Sequence, residues 1–431
     1  MGMRKKNMIQ IGRKMILTLL LAPAMVAATE TDTTATSAQL SLDDMRTFAD
    51  VFNQVRKNFV EELDDHELMN AAIRGMLSEL DPHSSYMEAD EFRQLDNNSR
   101  GRYSGIGVEI VIQNKDVKVV FIMDGGAADK AGLVIGDVIT SIAKNDLRGQ
   151  HMQLAVDSLR GEVGTTVEIT VRHENGEVSS HELVRDFVEV ASVFSRPVDS
   201  DYGYFRVTHF TRKSADELLE QIEYMQGNHE GPLKGIVLDL RNNPGGVLVP
   251  AVTMADGFLD DGLIVTTRGR AENQLEYTAE PGQWFDGVPM VVLVNRSSAS
   301  ASEVLAGALQ DHGRALIVGE KTFGKGSVQS VLNLRNGAGI RLTTSRYYTP
   351  NGRSIQAEGI LPDVEIDAIQ MIENDDHAKR EADLDGHLTG DPANAPVVFG
   401  SEVSATDDYM MYQALIMLKA ASILSPATDQ P

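Results

Sequence analysis

A serine-rich turn between a buried strand and a helix carries residues suited to chemistry in this 431-residue chain. The continuous apolar run at 290–294 is typical of a buried strand. Small residues follow at 297–302, and an apolar pattern at helical spacing runs from 304 to 309. A serine at such a turn lies at a helix N-terminus, where backbone N–H groups can stabilise an oxyanion. Ser300 is therefore a candidate nucleophile.

A serine nucleophile needs a base, and the nearby histidine is poorly placed for that role. In an unbroken helix, His312 would lie roughly 18 Å along the axis from Ser300. Asp311 would lie on nearly the same face as Ser300 but about 16 Å away. The spacing argues against both residues as direct partners of the serine.

Lys325 is the better candidate base, because it stands between two glycines in the segment 322–327. Glycines let the backbone turn tightly around one side chain. A lysine in a dry pocket can lose its proton near neutral pH, since burial disfavours the ammonium form. Gln329, four residues later, could hold the lysine amine in place.

These residues alone also allow a purely structural role for the same serine. Ser300-x-x-Glu303 is also the pattern of a capping box, in which a serine only starts a helix.

The stretch resembles the carboxyl-terminal processing peptidases, which are serine proteases with a Ser/Lys dyad and a PDZ domain. Three segments carry the resemblance here: SASASE at 298–303, QDHGRA at 310–315 and GEKTFGKGSVQ at 319–329. It extends to Asp81–Met87, Asp239–Gly246 and Tyr347–Arg353, and covers roughly residues 40 to 366 in all.

The resemblance assigns roles to individual residues. It implies that Ser300 is the nucleophile, Lys325 the general base and Gln329 the amide that orients the lysine. The oxyanion donors would be the backbone N–H groups of Gly246 and Ala301. Asp311 matches an acidic position whose role is expected to be structural, as its distance from Ser300 suggests.

Composition limits the classes of partner and cofactor. A net charge of −24 argues against nucleic acid or an anionic membrane as a partner. The chain has no cysteine, which excludes disulfides and thiolate metal sites. It has no histidine pair at metal-ligand spacing and no complete phosphate-binding loop. We therefore predict no metal and no cofactor.

The N-terminal region predicts export followed by helices. Residues 1–28 have a basic start and a short apolar run, as a signal peptide does, so the expected location is the periplasm. An uncleaved membrane anchor is the alternative. Residues 29–95 are predicted to form a polar linker and a helical region. Most of the apolar residues of these helices are expected to be core, and a share of them could pack on a second subunit.

Residues 96–188 are similar to a PDZ domain. Tyr103–Val108 resembles its carboxylate-binding loop, with Gly105, Ile106, Gly107 and Val108 as the predicted peptide-binding residues. Glycines there leave backbone N–H groups free to hold the C-terminal carboxylate of a peptide, and the next strand can pair with it. Arg160 is a candidate for coupling this domain to the protease, and a solvated arginine at a helix end is the alternative.

The remaining chain predicts an α/β core at 189–367, because short apolar strands alternate with helices. The resemblance implies a crotonase/Clp-protease-like superhelical form for this core. The predicted fold class is thus α/β with an inserted mainly-β PDZ domain and helical N- and C-terminal segments. Residues 368–431 are predicted to form an acidic linker and a C-terminal helix that docks on its own chain or on a neighbour.

The sequence supports three different hypotheses for the function of this protein. The leading hypothesis is an exported endopeptidase that holds protein or peptide substrates by their exposed C-terminal tails. The second is a PDZ scaffold that binds tails without cutting, and the third is a Ser/His/Asp esterase that uses His312. A homo-oligomer through the terminal helices and an adaptor protein are partners that the sequence leaves open.

Overall fold

The computed structural model describes residues 40–113, 115–147, 152–270, 274–367 and 403–424. Within these ranges the helices are α1 Leu42–Asn58, α2 Asp65–Ser78, α3 Ala89–Ser99, α4 Ala127–Lys130, α5 Met152–Leu159, α6 Ser214–Asn228, α7 Leu248–Phe258, α8 Ala301–Asp311 and α9 Tyr409–Leu424. The strands are β1 Ser85–Met87, β2 Arg102–Gly105, β3 Val108–Gln113, β4 Asp116–Ile122, β5 Val138–Ile142, β6 Asn145–Asp146, β7 Thr166–Arg172, β8 Val178–Val184, β9 Asp186–Glu189, β10 Val193–Val198, β11 Tyr202–Val207, β12 Gly235–Asp239, β13 Leu263–Gly269, β14 Gln274–Thr278, β15 Met290–Val294, β16 Leu316–Gly319, β17 Ser327–Asn333, β18 Gly339–Tyr348 and β19 Val364–Glu365.

The predicted signal peptide at 1–28 lies outside the described residues, as does most of the predicted acidic linker. In the part of the chain that the structure covers, no helix combines the length and apolar character needed to span a bilayer.

The chain divides into two units, Met1–Met69 and Asn70–Pro431. In the first unit, the side chain of Ser41 caps α1 by accepting from the N–H of Asp44 at 3.0 Å. The helix has the predicted apolar pattern, yet it buries none of its side chains. The expectation that most of these apolar residues are core is therefore wrong for α1, because no described element of its own unit covers that face.

A six-stranded sheet lies at the centre of the second unit, in the order β10-β11-β12-β15-β16-β19. β10 runs antiparallel to β11, and all the other neighbours are parallel. β12 and β15 are buried along their whole length, which explains why their sequences are apolar except for Asp239 at the end of β12. The turns that carry Gly246 and Ser300 leave this sheet at the carboxyl ends of β12 and β15, where open α/β sheets place their sites.

Helices cover both faces of this sheet. α6, α7 and α8 supply one large apolar cluster, together with Phe205, Leu238 and Val292 of the strands. α9 covers the opposite face and shares a cluster with Val237 and Leu293. The predicted docking of the C-terminal helix is confirmed, and its partner is the sheet of its own chain.

A second sheet connects the lysine segment to the region before the PDZ-like unit. Its order is β1-β18-β13-β14, with β17 paired to β18. β1 belongs to the Asp81–Met87 motif and pairs with β18 from Ser85 opposite Arg341 to Met87 opposite Gly339. Because β17 begins at Ser327, the loop around Lys325 leads straight into this sheet.

A mainly-β unit is inserted ahead of the α/β core. Its sheet has the order β3-β4-β5-β7-β8, with β6 beside β5, and encloses its own apolar cluster. β2 and β9, which enter and leave this unit, pair antiparallel from Arg102 opposite Glu189 to Gly105 opposite Asp186. The predicted α/β core with an inserted mainly-β domain and helical terminal segments is thus confirmed.

Arg241 joins the central sheet to the C-terminal helix. Its Nη1 and Nη2 donate to the two carboxylate oxygens of Asp408 at 2.8 Å each, and Nη2 also donates to Asp239 at 2.6 Å. Burial alone would lower the pKa of Arg241, but the carboxylates of Asp408 and Asp239 raise it, so the guanidinium stays charged. The start of the turn at 241–246 is thereby fixed to α9.

Replacing Asp408 with alanine should lower the free energy of unfolding by about 1–3 kcal/mol, because Arg241 then keeps only one carboxylate partner. Burial alone would raise the pKa of Asp408, but hydrogen bonds from Arg241 lower it below 3.8. The stabilisation is therefore present above pH 3.8 and is lost on acidification through the lowered pKa. Urea denaturation followed by circular dichroism measures this, with exposed Asp407→Ala as the matched control. Equal loss in both variants would contradict a docking role for the ion pair.

Candidate active site

Ser300 lies between β15 and α8 in a backbone conformation that few side chains adopt. Its φ is 57° and its ψ is −113°, outside the regions favoured by non-glycine residues. Ser298 holds this turn, because its hydroxyl accepts from the N–H of Asn295 at 3.0 Å and donates to the carbonyl of Leu240 at 2.8 Å. Strain of this kind at a strand-to-helix turn is typical of a nucleophile.

The turn after β12 packs directly against the Ser300 turn. The carbonyl of Asn243 accepts from the N–H of Ala299 and from the hydroxyl of Ser302, both at 3.0 Å. A Cβ added at Gly245 would lie 2.8 Å from the Cβ of Ser300, so this approach requires glycine.

Two backbone N–H groups at this junction have no acceptor in the described part of the chain, those of Gly246 and Ala301. Ala301 is the first residue of α8, where an N–H has no partner within the helix. Gly246 is held in place by Phe210, whose N–H and carbonyl bond the residues on either side of it at 2.9 Å. Both N–H groups can therefore donate to an oxyanion that forms beside Ser300.

Close backbone packing shapes the loop around Lys325. Gly324 has a φ of 91°, and its carbonyl accepts from the N–H of Ala357 at 2.8 Å. A Cβ added at Gly326 would lie 2.2 Å from the nitrogen of Gln356. A positive φ at one position and a close backbone contact at the other thus require glycine on both sides of the lysine, as the sequence predicts.

The environment of Lys325 favours the neutral amine. Its side chain is half-buried, and among the described residues no hydrogen bond or ion pair engages the amine. Burial lowers the pKa of Lys325 from 10.5, the positive charge of Arg341 lowers it further, and the carboxylate of Glu303 opposes both effects. A neutral lysine is the form that a general base requires.

Glu303 connects the serine turn to the lysine loop. The sequence predicts only a helix cap at this position, and that contact is present, since the N–H of Ser300 donates to the carboxylate at 2.7 Å. The same carboxylate accepts from the hydroxyl of Thr322 at 2.5 Å and from the N–H groups of Gly324 at 2.7 Å and Lys325 at 2.9 Å. Sequence reasoning missed these three contacts.

Gln329 lies on β17 near the lysine but is bound elsewhere. Its amide nitrogen donates to the hydroxyl of Ser327 at 2.8 Å and to that of Thr343 at 3.4 Å. Thr343 in turn donates to Asp81 at 3.1 Å, which links the upstream motif to this strand. Within the described ranges no hydrogen bond joins Gln329 to Lys325, so its orienting role stays a prediction.

The other two candidate residues lie at the far end of α8 from Ser300. His312 donates from Nε2 to a backbone carbonyl of β13 at 2.7 Å. Asp311 accepts from the N–H of Asn351 at 2.8 Å and pairs with Arg353. The geometry thus gives no support to a Ser/His/Asp triad here and agrees with a structural role for Asp311.

The predicted peptide-binding loop opens onto a cavity of about 370 Å³. Gly105, Ile106 and Gly107 line this cavity, whereas Val108 starts β3 without lining it. The N–H groups of Ile106 and Gly107 donate to none of the described acceptors. Two unpaired N–H groups at the wall of a cavity are suited to binding a carboxylate.

Tyr103 connects this unit to the α/β core. Its hydroxyl and Nε2 of His209 form a hydrogen bond of 3.2 Å, and the guanidinium of Arg160 lies 5.3 Å above its ring. Burial lowers the pKa of His209, which favours the neutral imidazole. His209 directly precedes Phe210, which holds Gly246 in place. A chain of contacts therefore runs from Arg160 to the turn that carries Gly246.

Comparison with known families finds three matches along the chain. Residues 201–366 match peptidase family S41, residues 119–173 match a PDZ domain, and residues 15–91 match the N-terminal domain of the activating protease CtpB.

Two named relatives agree with this result, and one solved structure also aligns with the chain. The chain is 41% identical over 362 residues to a carboxy-terminal-processing protease of Bartonella bacilliformis, covering 83% of each protein. It is 31% identical over 314 residues to the carboxy-terminal processing protease CtpA of Bacillus subtilis, covering 73% of this chain and 67% of that protein. A solved photosystem II D1 C-terminal processing protease aligns at 30% identity and a TM-score of 0.46, over 74% of this chain and 92% of that one.

The Bartonella match covers 83% of each protein, so the relationship extends well beyond a single shared module. Together with the peptidase and PDZ matches, it accounts for the α/β core and the inserted domain. This chain belongs to the S41 peptidases and is a serine-type carboxy-terminal processing protease with a PDZ domain.

Proposed function

We propose that this chain is an exported endopeptidase that binds the C-terminal tail of a protein substrate and cleaves with a Ser300/Lys325 dyad. One observation carries the proposal: the carboxylate of Glu303 holds the backbones of both residues at once. The free N–H groups of Gly246 and Ala301 lie at the same junction.

Each residue has a defined step in the proposed reaction. The hydroxyl oxygen of Ser300 attacks the scissile carbonyl while the neutral amine of Lys325 accepts the hydroxyl proton. Gly246 and Ala301 donate to the oxyanion of the tetrahedral intermediate. The protonated lysine then gives its proton to the leaving amine, and water hydrolyses the acyl-enzyme. The amide oxygen of Gln329 accepts from no described residue, so it is free to orient the lysine amine.

The inserted domain is the proposed tail-binding and gating element. The contacts from Arg160 through Tyr103 and His209 to the oxyanion turn support a gate that responds to a bound tail. An enzyme that is inactive without a tail would not degrade its neighbours in the periplasm. Equal cleavage rates with and without residues 96–188 would contradict the gate.

Amidation of the substrate tail should weaken its binding about tenfold or more, because charge-assisted hydrogen bonds to the carboxylate are lost. Fluorescence anisotropy of labelled peptides on the Ser300→Ala variant measures the Kd without turnover. A peptide amidated on an internal glutamate side chain, with its terminal carboxylate intact, is the control. Equal affinity of the free-acid and amidated tails would show that Ile106 and Gly107 do not bind the carboxylate.

The proposed location is the periplasm. The basic and apolar segment at 1–28 supports export, and the absence of cysteine fits a chain that avoids stray disulfides there. Cell fractionation with mass measurement of the mature N-terminus tests this, since a soluble periplasmic form without residues 1–28 is expected.

The experiment that tests the reaction compares wild type, Ser300→Ala and Lys325→Ala on an unfolded protein with an apolar C-terminal tail. Mass spectrometry identifies the products. Cleavage by wild type alone, with both variants folded, is the expected result. Cleavage by Lys325→Ala would show that the base is wrong, and binding without any cleavage by wild type would favour the scaffold.

A further inference from the structure

Glu303 is a buried carboxylate that the dyad mechanism does not use. It occupies the third position of α8 and has no solvent exposure. A buried carboxylate is costly unless hydrogen bonds compensate for the lost hydration. Four donors surround it, from two segments that are about 20 residues apart in sequence.

The two carboxylate oxygens divide these donors between the segments. Oε2 accepts from the N–H of Ser300 at 2.7 Å and from that of Lys325 at 2.9 Å. Oε1 accepts from the hydroxyl of Thr322 at 2.5 Å and from the N–H of Gly324 at 2.7 Å. A single oxygen atom thus holds the backbones of both proposed catalytic residues.

The bonding pattern also fixes the charge of this group. The hydroxyl of Thr322 accepts from the N–H of Ile360 at 2.7 Å, which directs its own proton toward Glu303. All four partners are then donors, and an ionised carboxylate is the form that only accepts. Burial raises the pKa of Glu303, and these hydrogen bonds oppose the increase.

We propose that Glu303 is the positioning residue of the active site, which sets the nucleophile turn and the lysine loop relative to each other and places a negative charge beside the base. The proposal rests on the Ser300/Lys325 dyad. Glu303 acts through the backbones of the two residues and not on the substrate. Its loss should therefore lower kcat and leave KM nearly unchanged.

The test is Glu303→Gln, assayed on a tail-bearing peptide across pH. Glutamine has one accepting oxygen, so two of the four donors lose their acceptor in either orientation of the amide. We expect kcat to fall about 100-fold, because a small displacement of catalytic groups costs that much. Glu358→Gln is the matched control: this exposed carboxylate lies in the neighbouring loop, forms no hydrogen bond with described residues, and should keep wild-type kcat.

The dependence of kcat on pH distinguishes loss of the Glu303 charge from a general loosening of the structure around Lys325. The charged and titratable groups that face Lys325 are Glu303 from α8, Arg341 from β18 and His83 from the loop before β1. Loss of the Glu303 charge lets the pKa of Lys325 fall further, so the limb on which the rate rises with pH should move to lower pH. A loosened, hydrated lysine would move it toward 10.5, the opposite direction.

The outcomes are distinct from those of the dyad test. Cleavage by Lys325→Ala would refute the dyad, whatever Glu303→Gln does. If Ser300→Ala and Lys325→Ala are inert but Glu303→Gln keeps the wild-type kcat, the dyad stands and the positioning role of Glu303 is overturned. If the rising limb of the pH profile moves toward pH 10.5 in Glu303→Gln, the proposed effect of the Glu303 charge on Lys325 is overturned.

Should Glu303→Gln fail to fold, Thr322→Val carries the test. It keeps the carboxylate and removes one of its four donors. A several-fold loss of kcat at unchanged KM, with the limb at its wild-type pH, is expected in a variant with a native circular dichroism spectrum. Wild-type kcat in this variant would overturn the proposal.

Discussion

Lys325→Ala should reduce kcat/KM by about 10²–10⁴-fold, since that is the range a positioned general base contributes. Neither His312 nor Asp311 can replace the amine, because both residues are bound at the far end of α8. Progress curves on a tail-bearing peptide measure the loss, and thermal denaturation confirms that the variant is folded.

Two further lysine variants make this result specific. Lys325→Arg retains a positive charge that cannot be lost at neutral pH, so it should be as inactive as the alanine variant. Lys321→Ala removes an exposed lysine four residues away and should keep the wild-type rate. Activity in Lys325→Arg would show that the positive charge, and not the basic amine, is what the reaction needs.

Gly246→Ala should lower kcat by about 10²–10³-fold, the usual cost of losing one oxyanion donor. Its φ of 142° disfavours any side chain, and a Cβ there would lie 2.2 Å from the carbonyl oxygen of Phe210. The backbone must shift to relieve this contact, and the N–H moves with it. Steady-state kinetics on a peptide substrate give the loss in kcat.

Gly313→Ala is the matched control for this substitution. Gly313 also has a positive φ, of 62°, but a Cβ there would meet no atom within 4 Å. We expect a stability loss of about 1–2 kcal/mol from the left-handed conformation, with kcat unchanged. A folded Gly246→Ala variant with wild-type kcat would show that this N–H does not bind the oxyanion.

The strands of the central sheet were predictable because their apolar sequences match their burial in the structure. The apolar run at 290–294 is a strand with those same bounds, buried at every position. The helix after Ser300 was predictable from its periodicity, and the glycines around Lys325 from their spacing. These features depend on neighbours in sequence, which pattern analysis can evaluate.

The role of Glu303 was not predictable in the same way, because its other partners lie about 20 residues further along the chain. A signal was nonetheless present. Every position from 301 to 309 is buried, and an acidic residue inside so apolar a helix requires compensating donors. The exposure of α1 was missed for the opposite reason, since its periodicity shows an apolar face but not whether anything covers it.

The ion pair between Arg241 and Asp408 has a consequence for the order in which the enzyme matures. Its partners are 167 residues apart, so the turn that leads to Gly246 is secured only after the segment 403–424 has been synthesised and has reached the sheet. Contacts this distant in sequence form late, because the intervening chain must first be ordered. A nascent chain would therefore carry Ser300 and Lys325 well before it could support their proposed chemistry, so cleavage activity is expected only after the C-terminal segment has docked.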